Sequence, residues 1–203
     1  MSDASIAAAY DARAAEYVEI AGRIEQMDAA DRSLIARWRD TTEGALLDAG
    51  CGPGLWTAFL HDDRRRVTGV DLSDEFLATA RAHHPHLCFD HGSFRDLPFA
   101  DASLGGILAW YSLIHTPPAD LSEVLMEFAR VLTPGGSLLI GFFDGPPRAP
   151  FGHAVTTAYF WSADALEPLL VDAGFTVTHS ERRGRADDEI STRAHGALTA
   201  RRR

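Results

Sequence analysis

A glycine-rich turn at residues 48–54 carries the most specific chemical signal in the chain. It reads Asp-Ala-Gly-Cys-Gly-Pro-Gly and follows an apolar stretch that ends at Leu47. Glycine at alternate positions allows positive φ angles and a close approach of the backbone to a ligand. Seventeen residues beyond the turn, a second apolar stretch ends at Asp71, where a carboxylate can accept hydrogen bonds from two ribose hydroxyls. The two features predict a site for a cofactor that contains adenosine.

The spacing of the glycines separates two classes of cofactor. The dinucleotide-binding fingerprint requires Gly-x-Gly-x-x-Gly, and the sixth position counted from Gly50 is Leu55. The acidic Asp48 before the turn disfavours a pyrophosphate and suits a ligand with an ammonium group and no phosphate. S-adenosylmethionine (SAM) is such a ligand. The alternative is NAD, the cofactor of an oxidoreductase.

The composition of the chain narrows its environment. A net charge of -10 over 203 residues disfavours nonspecific nucleic-acid binding, because phosphates are repelled. The two cysteines, one of them in the glycine turn, predict no disulfide framework and fit a reducing compartment. There is no signal-peptide pattern at residues 1–4 and no apolar run of membrane-spanning length. We therefore expect a cytoplasmic protein with no membrane partner.

The elements that must position these residues alternate between strand and helix. Residues 3–39 show apolar residues at helical spacing and form a predicted N-terminal helical cap. Alternation after the cap is typical of a parallel sheet with helices on both faces. The strands are expected at residues 45–49, 67–70, 87–89, 104–110, 137–142, 175–180 and 194–200.

Helices are expected between these strands. Two of them open near Leu55 and Ser73, and two more cover residues 120–132 and 162–173. The turn Thr-Pro-Gly-Gly at 133–136 should end the third of these helices before the fifth strand begins. A loop is expected after the fifth strand, an antiparallel hairpin from the last two strands, and fraying in the closing three arginines.

Four segments of the chain resemble the class I SAM-dependent methyltransferases of the small-molecule type. They are the turn at 47–54, Leu-Pro-Phe-Ala-Asp-Ala-Ser at 97–103, Leu-Thr-Pro-Gly-Gly at 132–136 and Leu-Leu-Val-Asp-Ala-Gly-Phe at 169–175. The resemblance covers roughly residues 10–200. It implies an α/β fold with a Rossmann-like doubly wound sheet of seven strands, mostly parallel with the last strand antiparallel. SAM would lie across the carboxyl ends of strands one to four.

The resemblance also implies one methyltransferase domain over residues 1–203. Its parts would be the helical cap at 1–40, a SAM-binding core at 45–142, and an acceptor loop with the C-terminal strands at 143–203. Asp48 would lie near the methionine ammonium of SAM, and Leu72 would pack on adenine. The residues expected to bind the cofactor are Tyr10, Tyr17, Asp48, Ala49, Gly50, Cys51, Gly52, Asp71, Leu72, Ser93, Phe94, Trp110 and Tyr111.

Two positions depart from the family pattern. Relatives commonly have Gly-Asp-Ala where this chain has Gly92-Ser93-Phe94, and their aspartate contacts the adenine amine. The Ser93 hydroxyl can still accept a hydrogen bond, without charge, so we expect weaker adenine binding. Gly105 stands where aspartate is usual.

The segment after the fourth strand is expected to meet the methyl acceptor. His115 matches a histidine frequent at this position in small-molecule methyltransferases, and it is the candidate base for an acceptor proton. The other interpretation is a structural histidine. Thr-Pro-Pro-Ala at 116–119 lacks the residues with which nucleic-acid amino-methylating enzymes flank Pro-Pro, so we expect no nucleic-acid substrate.

The loop after the fifth strand lies where acceptors are usually selected. Arg148, His153 and Tyr159 are candidate substrate-binding residues there, together with His115, and they could hold an anionic acceptor. The histidines near residue 84 suggest a metal, but the break at Pro85 favours exposed surface. We expect no metal.

The sequence therefore predicts a methyltransferase that moves a methyl group from SAM to an O, N or C atom of a small molecule and leaves S-adenosylhomocysteine (SAH). A monomer or homodimer is expected. Two alternatives stay open. One is a non-catalytic SAM-binding or regulatory protein, which the departures at Ser93 and Gly105 allow, and the other is the NAD-dependent oxidoreductase.

Overall fold

The computed structural model describes residues 2–21, 23–62, 64–184 and 193–203, and it contains a seven-stranded sheet covered by helices. The α-helices are α1 (Asp3–Asp11), α2 (Ala14–Ala21), α3 (Ala29–Asp40), α4 (Leu55–Leu60), α5 (Asp74–His83), α6 (Leu121–Val131) and α7 (Ala163–Asp172). The strands are β1 (Leu46–Ala49), β2 (Val67–Asp71), β3 (Cys88–His91), β4 (Leu104–Trp110), β5 (Leu132–Phe143), β6 (Pro150–Gly152), β7 (Thr157–Tyr159), β8 (Phe175–Arg183) and β9 (His195–Arg202).

The order of strands in the main sheet is β3-β2-β1-β4-β5-β9-β8. The five strands from β1 to β5 pair in parallel, and β9 is antiparallel to both β5 and β8. The predicted fold class is confirmed. All the predicted strands are present, with boundaries that differ by a few residues, because their apolar runs were long enough to identify.

The core lies on both faces of this sheet. Along β1, Leu46 packs with residues of α3 and α4, and its neighbour Leu47 packs on the other face with residues of α6 and α7. Successive side chains of a strand point to opposite faces, so a strand that is buried at every position, as β1 is, must be covered on both faces. The carboxyl ends of the parallel strands stay open at one edge of the sheet.

Serine caps fix where two of the predicted helices begin. The Ser73 hydroxyl accepts a hydrogen bond from the Phe76 amide at 3.1 Å, and that of Ser162 accepts one from the Ala165 amide at 3.3 Å. Such caps satisfy amides that the first helical turn cannot pair internally. Among the described helices, none has the length and apolar character needed to cross a bilayer.

The start of β5 differs from the prediction. The residues 133–136 form an irregular stretch inside the strand instead of a separate turn, and Gly135 there has φ 79°. Arg201 donates a hydrogen bond to the carbonyl oxygen of Gly135 at 2.9 Å, and Arg202 donates one to that of Leu132. The predicted fraying is therefore wrong for these arginines, because β9 extends to Arg202 along this stretch.

The loop expected after the fifth strand contains an additional antiparallel hairpin, formed by β6 and β7. Each strand is three residues long, which is too short for a recognisable alternation of apolar and polar residues. The hairpin lies beside the open edge of the sheet, where the carbonyl oxygen of Thr157 contacts His115.

Candidate functional site

A cavity of about 910 Å³ lies at the carboxyl ends of β1, β2 and β4, beneath α1 and α2. A volume of this size is typical of small-molecule sites. Most of the predicted site residues line it, namely Tyr10, Tyr17, Gly50, Gly52, Asp71, Leu72, Ser93, Phe94, Trp110, Tyr111, His115 and His153. The structure therefore brings together residues that are spread over more than a hundred positions of the sequence.

Five predicted site residues are not among the residues that line the cavity. The side chains of Asp48, Ala49 and Cys51 are buried behind the turn. Arg148 is exposed, and its guanidinium lies 6.0 Å from the ring centre of Trp161. Tyr159 is at the end of β7. The roles proposed for these five residues stay predictions, and the positions of Arg148 and Tyr159 give the substrate-binding role no support.

The glycine turn has the backbone conformation that its sequence predicts. Gly50, Gly52 and Gly54 have φ angles of 78°, 52° and 87°, which side-chain-bearing residues rarely adopt. A Cβ on Gly50 would lie 2.3 Å from the Cβ of Ser112. Glycine at this position therefore allows the segment after β4 to approach the turn closely.

The amides of this turn are already used inside the protein. Those of Gly50 and Cys51 donate to the carbonyl oxygen of Val70 at 2.8 and 3.1 Å. The amide of Gly52 donates to Oδ2 of Asp71 at 2.8 Å, and that of Gly54 to the carbonyl oxygen of Cys51 at 3.0 Å. A phosphate-binding turn needs amides directed at the ligand. The amides of Gly50, Cys51, Gly52 and Gly54 are thus not directed at a pyrophosphate.

Asp48 is buried beside this turn, with 1% of its surface exposed. It accepts a hydrogen bond from the Thr57 hydroxyl at 2.7 Å. Burial disfavours the charged form and raises the pKa of Asp48 to about 7, although the hydrogen bonds from Thr57 oppose the shift. A positively charged ligand group nearby would stabilise its carboxylate.

Asp71 ends β2 and lines the cavity. Its Oδ1 accepts a hydrogen bond from the Ser73 amide at 2.9 Å, and its Oδ2 is the acceptor for Gly52. Burial raises the pKa of Asp71, and these backbone hydrogen bonds oppose that shift. The two bonds fix the orientation of the carboxylate, whose remaining lone pairs face the cavity that it lines.

Helix α1 closes the cavity through polar contacts, since none of its residues is buried. The Ser93 hydroxyl donates to the carboxylate of Asp3, at the start of α1. At its end, Asp11 accepts hydrogen bonds from the Ser73 hydroxyl and from the Glu75 amide. Tyr10 provides a third attachment. Helix α1 therefore acts as a lid that is tied down at both ends.

Both ring nitrogens of His115 are engaged. Its Nδ1 lies 2.8 Å from the carbonyl oxygen of Thr157, which can only accept, so Nδ1 carries the proton. In the neutral ring, Nε2 then accepts from the Tyr10 hydroxyl at 2.8 Å. Burial lowers the pKa of His115 and favours this neutral form. In this arrangement His115 holds Tyr10 and the hairpin together.

We expect Tyr10→Phe to lower the free energy of unfolding by about 1 kcal/mol, because the buried Nε2 of His115 loses its hydrogen-bond donor. Urea denaturation would measure the change. The matched control is Tyr17→Phe, because Tyr17 also packs against Phe76 but its hydroxyl makes no hydrogen bond to the described residues. Equal losses in the two variants would contradict the role of the Tyr10–His115 bond.

Aromatic side chains wall the part of the cavity near β4 and β5. Tyr111 follows β4 with φ 55°, a conformation that costs energy in residues other than glycine. Its ring packs 5.4 Å from that of Trp110 and 4.9 Å from that of Phe143. Its hydroxyl forms a hydrogen bond with Nδ1 of His195, which lies 84 positions later in the sequence.

Two buried polar atoms of the site have no hydrogen-bond partner among the described residues. They are the hydroxyl oxygen of Ser112 and Nδ1 of His153, and both residues line the cavity. Burial and the nearby positive groups lower the pKa of His153 to about 4, so its ring is neutral. Buried polar groups are normally satisfied, and these two atoms are therefore candidate contacts for a ligand.

Several cavity residues were missed in the sequence. Eight of the missed residues are Asp3, Arg13, Asp31, Ser112, Phe143, Arg183, Arg193 and His195. Most come from the cap or from the far end of the chain and belong to no local motif. Ser112 could have been found, because it lies between predicted site residues. Within the described ranges, no group of three or more potential ligands could hold a metal ion.

The fold and the site together are those expected of a protein that binds an adenosine-containing ligand. A family model described as a methyltransferase domain matches residues 46–136. The chain is 43% identical over 94 residues to a malonyl-[acyl-carrier protein] O-methyltransferase of Erwinia billingiae, covering 46% of this chain and 37% of the relative. It spans about half the length of the curated relatives that it matches.

Two solved structures share the fold at low identity. The [4+2]-cyclase SpnF is 19% identical, with a TM-score of 0.85 and coverage of 100% of this chain and 97% of that chain. The 1,6-didemethyltoxoflavin-N1-methyltransferase of Burkholderia thailandensis, solved with SAH, is 24% identical, with a TM-score of 0.75 and coverage of 100% and 91%. Fold similarity alone does not assign a reaction.

The family model and the relatives support the assignment of this chain to the class I SAM-dependent methyltransferases. The predicted family is confirmed, and with it the S-adenosyl cofactor by which the family is defined. The alternative of an NAD-dependent oxidoreductase has support neither from the relatives nor from the amides of the glycine turn.

Proposed function

We propose that this chain is a methyltransferase that binds SAM, transfers its methyl group to a small-molecule acceptor and releases SAH. The observation that carries the proposal is the glycine turn beside Asp71. Its amides form hydrogen bonds within the protein, and the turn lines a cavity whose other side is aromatic. This cavity can hold a nucleoside and an acceptor together, but the turn has no cradle for phosphates.

The residues of the cavity fit this cofactor. Asp71 offers carboxylate oxygens to the ribose hydroxyls, and Asp48 provides negative charge for the methionine ammonium. Gly50 and the unpartnered hydroxyl of Ser112, which lie side by side in the cavity lining, would contact the methionyl part of the cofactor. When bound, SAM supplies an electrophilic methyl group. The protein then has to orient the acceptor and exclude water.

The acceptor would lie against Trp110, Tyr111 and Phe143. The proposed base, His115, stays a prediction, because its Nε2 accepts from Tyr10 and becomes available only if that hydroxyl moves. Acidic and basic side chains line the cavity in similar numbers, so charge alone does not select an anionic acceptor. They are Asp3, Glu16, Glu25, Asp28, Asp31 and Asp71, with Arg13, Arg32, Arg95, Arg183 and Arg193.

We propose one domain over residues 1–203, with the cap at 1–40, the SAM-binding core at 45–142, and the acceptor loop and last strands at 143–203. Contacts between α1 and the open edge of the sheet support this organisation. A cytoplasmic monomer or homodimer that binds neither membrane nor nucleic acid agrees with the net charge of -10.

Calorimetric titration with SAH and with NAD tests the proposal. The wild type should bind SAH with micromolar affinity and should not bind NAD. Asp71→Asn should weaken SAH binding by about 10- to 100-fold, because hydrogen bonds to a charged acceptor are lost. The control Asp74→Asn removes an exposed carboxylate three residues away and should bind SAH as the wild type does.

Preferential binding of NAD, or equal losses in the two variants, would refute the proposed site. Incubation with methyl-labelled SAM and a panel of aromatic hydroxyl and amine acceptors then tests turnover. Tight SAH binding with no transfer to any member of the panel would favour the non-catalytic alternative.

A further inference from the structure

We propose that Asp3, on the lid helix α1, is the hydrogen-bond acceptor for the exocyclic amine of the cofactor's adenine. This inference rests on the proposed function, because it assigns one edge of the nucleoside site. No local motif contains Asp3, and the lid alone brings it to the cavity.

The first observation is the position of the Asp3 carboxylate. It accepts a hydrogen bond from the hydroxyl of Ser93, directly after the Gly92 that follows β3. Asp3, Ser93 and the neighbouring Phe94 all line the cavity. Apolar side chains line the same cavity, among them Ile6, Ala7, Leu72 and Val124. A flat base with a polar rim can bind between apolar side chains and these polar groups.

The second observation concerns hydrogen-bond direction. The Ser93 hydroxyl gives its one proton to Asp3, and its oxygen accepts a hydrogen bond from the Arg95 amide at 3.2 Å, so it can offer only its remaining lone pair. A carboxylate can also only accept. Both side chains therefore present acceptors, and they select a base that carries a donor at this edge. The 6-amino group of adenine is such a donor, whereas the 6-oxo group of hypoxanthine is an acceptor and would be repelled.

The third observation is that the cation nearest to Asp3 is shared with two other carboxylates. The nearest cation is Arg95, whose Nε lies 3.5 Å from Oδ1 of Asp3. Arg95 makes shorter ion pairs, both at 2.8 Å, with Asp120 and Glu123. It is therefore shared among three carboxylates. Asp3 is held in place by Ser93 and Arg95, with lone pairs left for an amine.

The test compares SAH with S-inosylhomocysteine, in which a 6-oxo group replaces the 6-amino group and N1 carries a hydrogen. Calorimetry of the wild type should show at least about tenfold tighter binding of SAH, as expected for a hydrogen bond to a charged acceptor. In Asp3→Asn the amide can donate to the 6-oxo group. The ratio of the affinity for SAH to the affinity for S-inosylhomocysteine should therefore fall by at least about tenfold.

The matched control is Asp11→Asn, at the other end of the same helix. Asp11 ties the lid to Ser73 and Glu75 and is not among the residues that line the cavity. Its replacement weakens the attachment of α1 without changing Asp3 or Ser93, the side chains proposed to face the adenine amine. Both ligands should weaken by the same factor, and the ratio of their affinities should stay that of the wild type.

The outcomes separate this inference from the proposed function. If the wild type does not bind SAH, the proposed function fails. If it binds SAH but does not prefer it to the inosyl analogue, or if Asp3→Asn keeps the wild-type ratio, Asp3 is only a lid contact and the inference is overturned. Thermal melting reports whether Asp3→Asn is folded, and Asp3→Ala, which should also narrow the ratio, replaces it if it is not.

Discussion

Replacing Gly105 with alanine is expected to lower the free energy of unfolding by more than about 3 kcal/mol, a large effect for one methyl group. The added Cβ would lie 1.7 Å from the carbonyl oxygen of Glu43 and 2.8 Å from its carbonyl carbon. Both are backbone atoms, so no side-chain rotation can relieve the clash. The amide of Gly105 also donates to the carbonyl oxygen of Ala45 at 2.8 Å, which ties β4 to the start of β1.

Urea denaturation of the purified variant would measure this loss. Failure of the variant to accumulate as folded protein would also agree with a loss of this size. The control is Gly152→Ala in β6, where an added Cβ meets no atom within 4 Å. It should change stability by less than about 1 kcal/mol. A Gly105→Ala protein as stable as this control would show that the segment around Glu43 can move away.

The same contact explains a departure from the family pattern. Aspartate is usual at the position of Gly105, and the sequence offered no reason for glycine. The reason is the chain at Glu43 and Gly44, which passes over β4, and the Cα of Gly105 lies 3.4 Å from where a Cβ of Gly44 would be. The two glycines are about sixty positions apart, so no local pattern could reveal that they touch.

The sequence was sufficient where the signal is local. The glycines of the turn follow β1 directly and Asp71 ends β2, and parallel strands bring their carboxyl ends to one edge. Apolar periodicity located the strands and helices of the main sheet for the same reason. Features that depend on a few consecutive residues, or on one strand, were therefore predictable.

Contacts between distant segments could not be predicted. His195 reaches Tyr111 only because β9 inserts beside β5, and Asp3 reaches Ser93 only through the lid. The pairing of His115 with Tyr10 depends on the same helix. His115 was the candidate base, but both of its ring nitrogens form hydrogen bonds in the structure. Only the three-dimensional packing could show this.

We expect Asp48→Asn to stabilise the ligand-free protein above pH 7 and to weaken its binding of SAH. An aspartate in the unfolded chain has a pKa near 3.9, whereas burial raises that of Asp48 to about 7. Between these values the folded state binds more protons than the unfolded state, so wild-type stability falls as pH rises through this window. The full loss is up to about 4 kcal/mol.

Asparagine removes this titration but keeps an acceptor for the Thr57 hydroxyl, which lies 2.7 Å from Oδ2 of Asp48. Near pH 4 the variant and the wild type should have similar stability. The difference should grow up to pH 7 and then stay constant. Urea denaturation at a series of pH values measures it, with the exposed Asp74→Asn as the control for removing one negative charge from a chain of net charge -10.

The opposite change in ligand affinity makes the prediction specific to a binding role. A buried carboxylate destabilises the free protein, but it stabilises a cationic group bound beside it. SAH should therefore bind at least about tenfold more weakly to Asp48→Asn at pH 8, although that variant is the more stable protein. If stability and SAH affinity both fell, Asp48 would be a structural residue and the ammonium site would lie elsewhere. A gain in stability with loss of affinity is the pattern expected where a site residue is kept for its ligand at the expense of the fold.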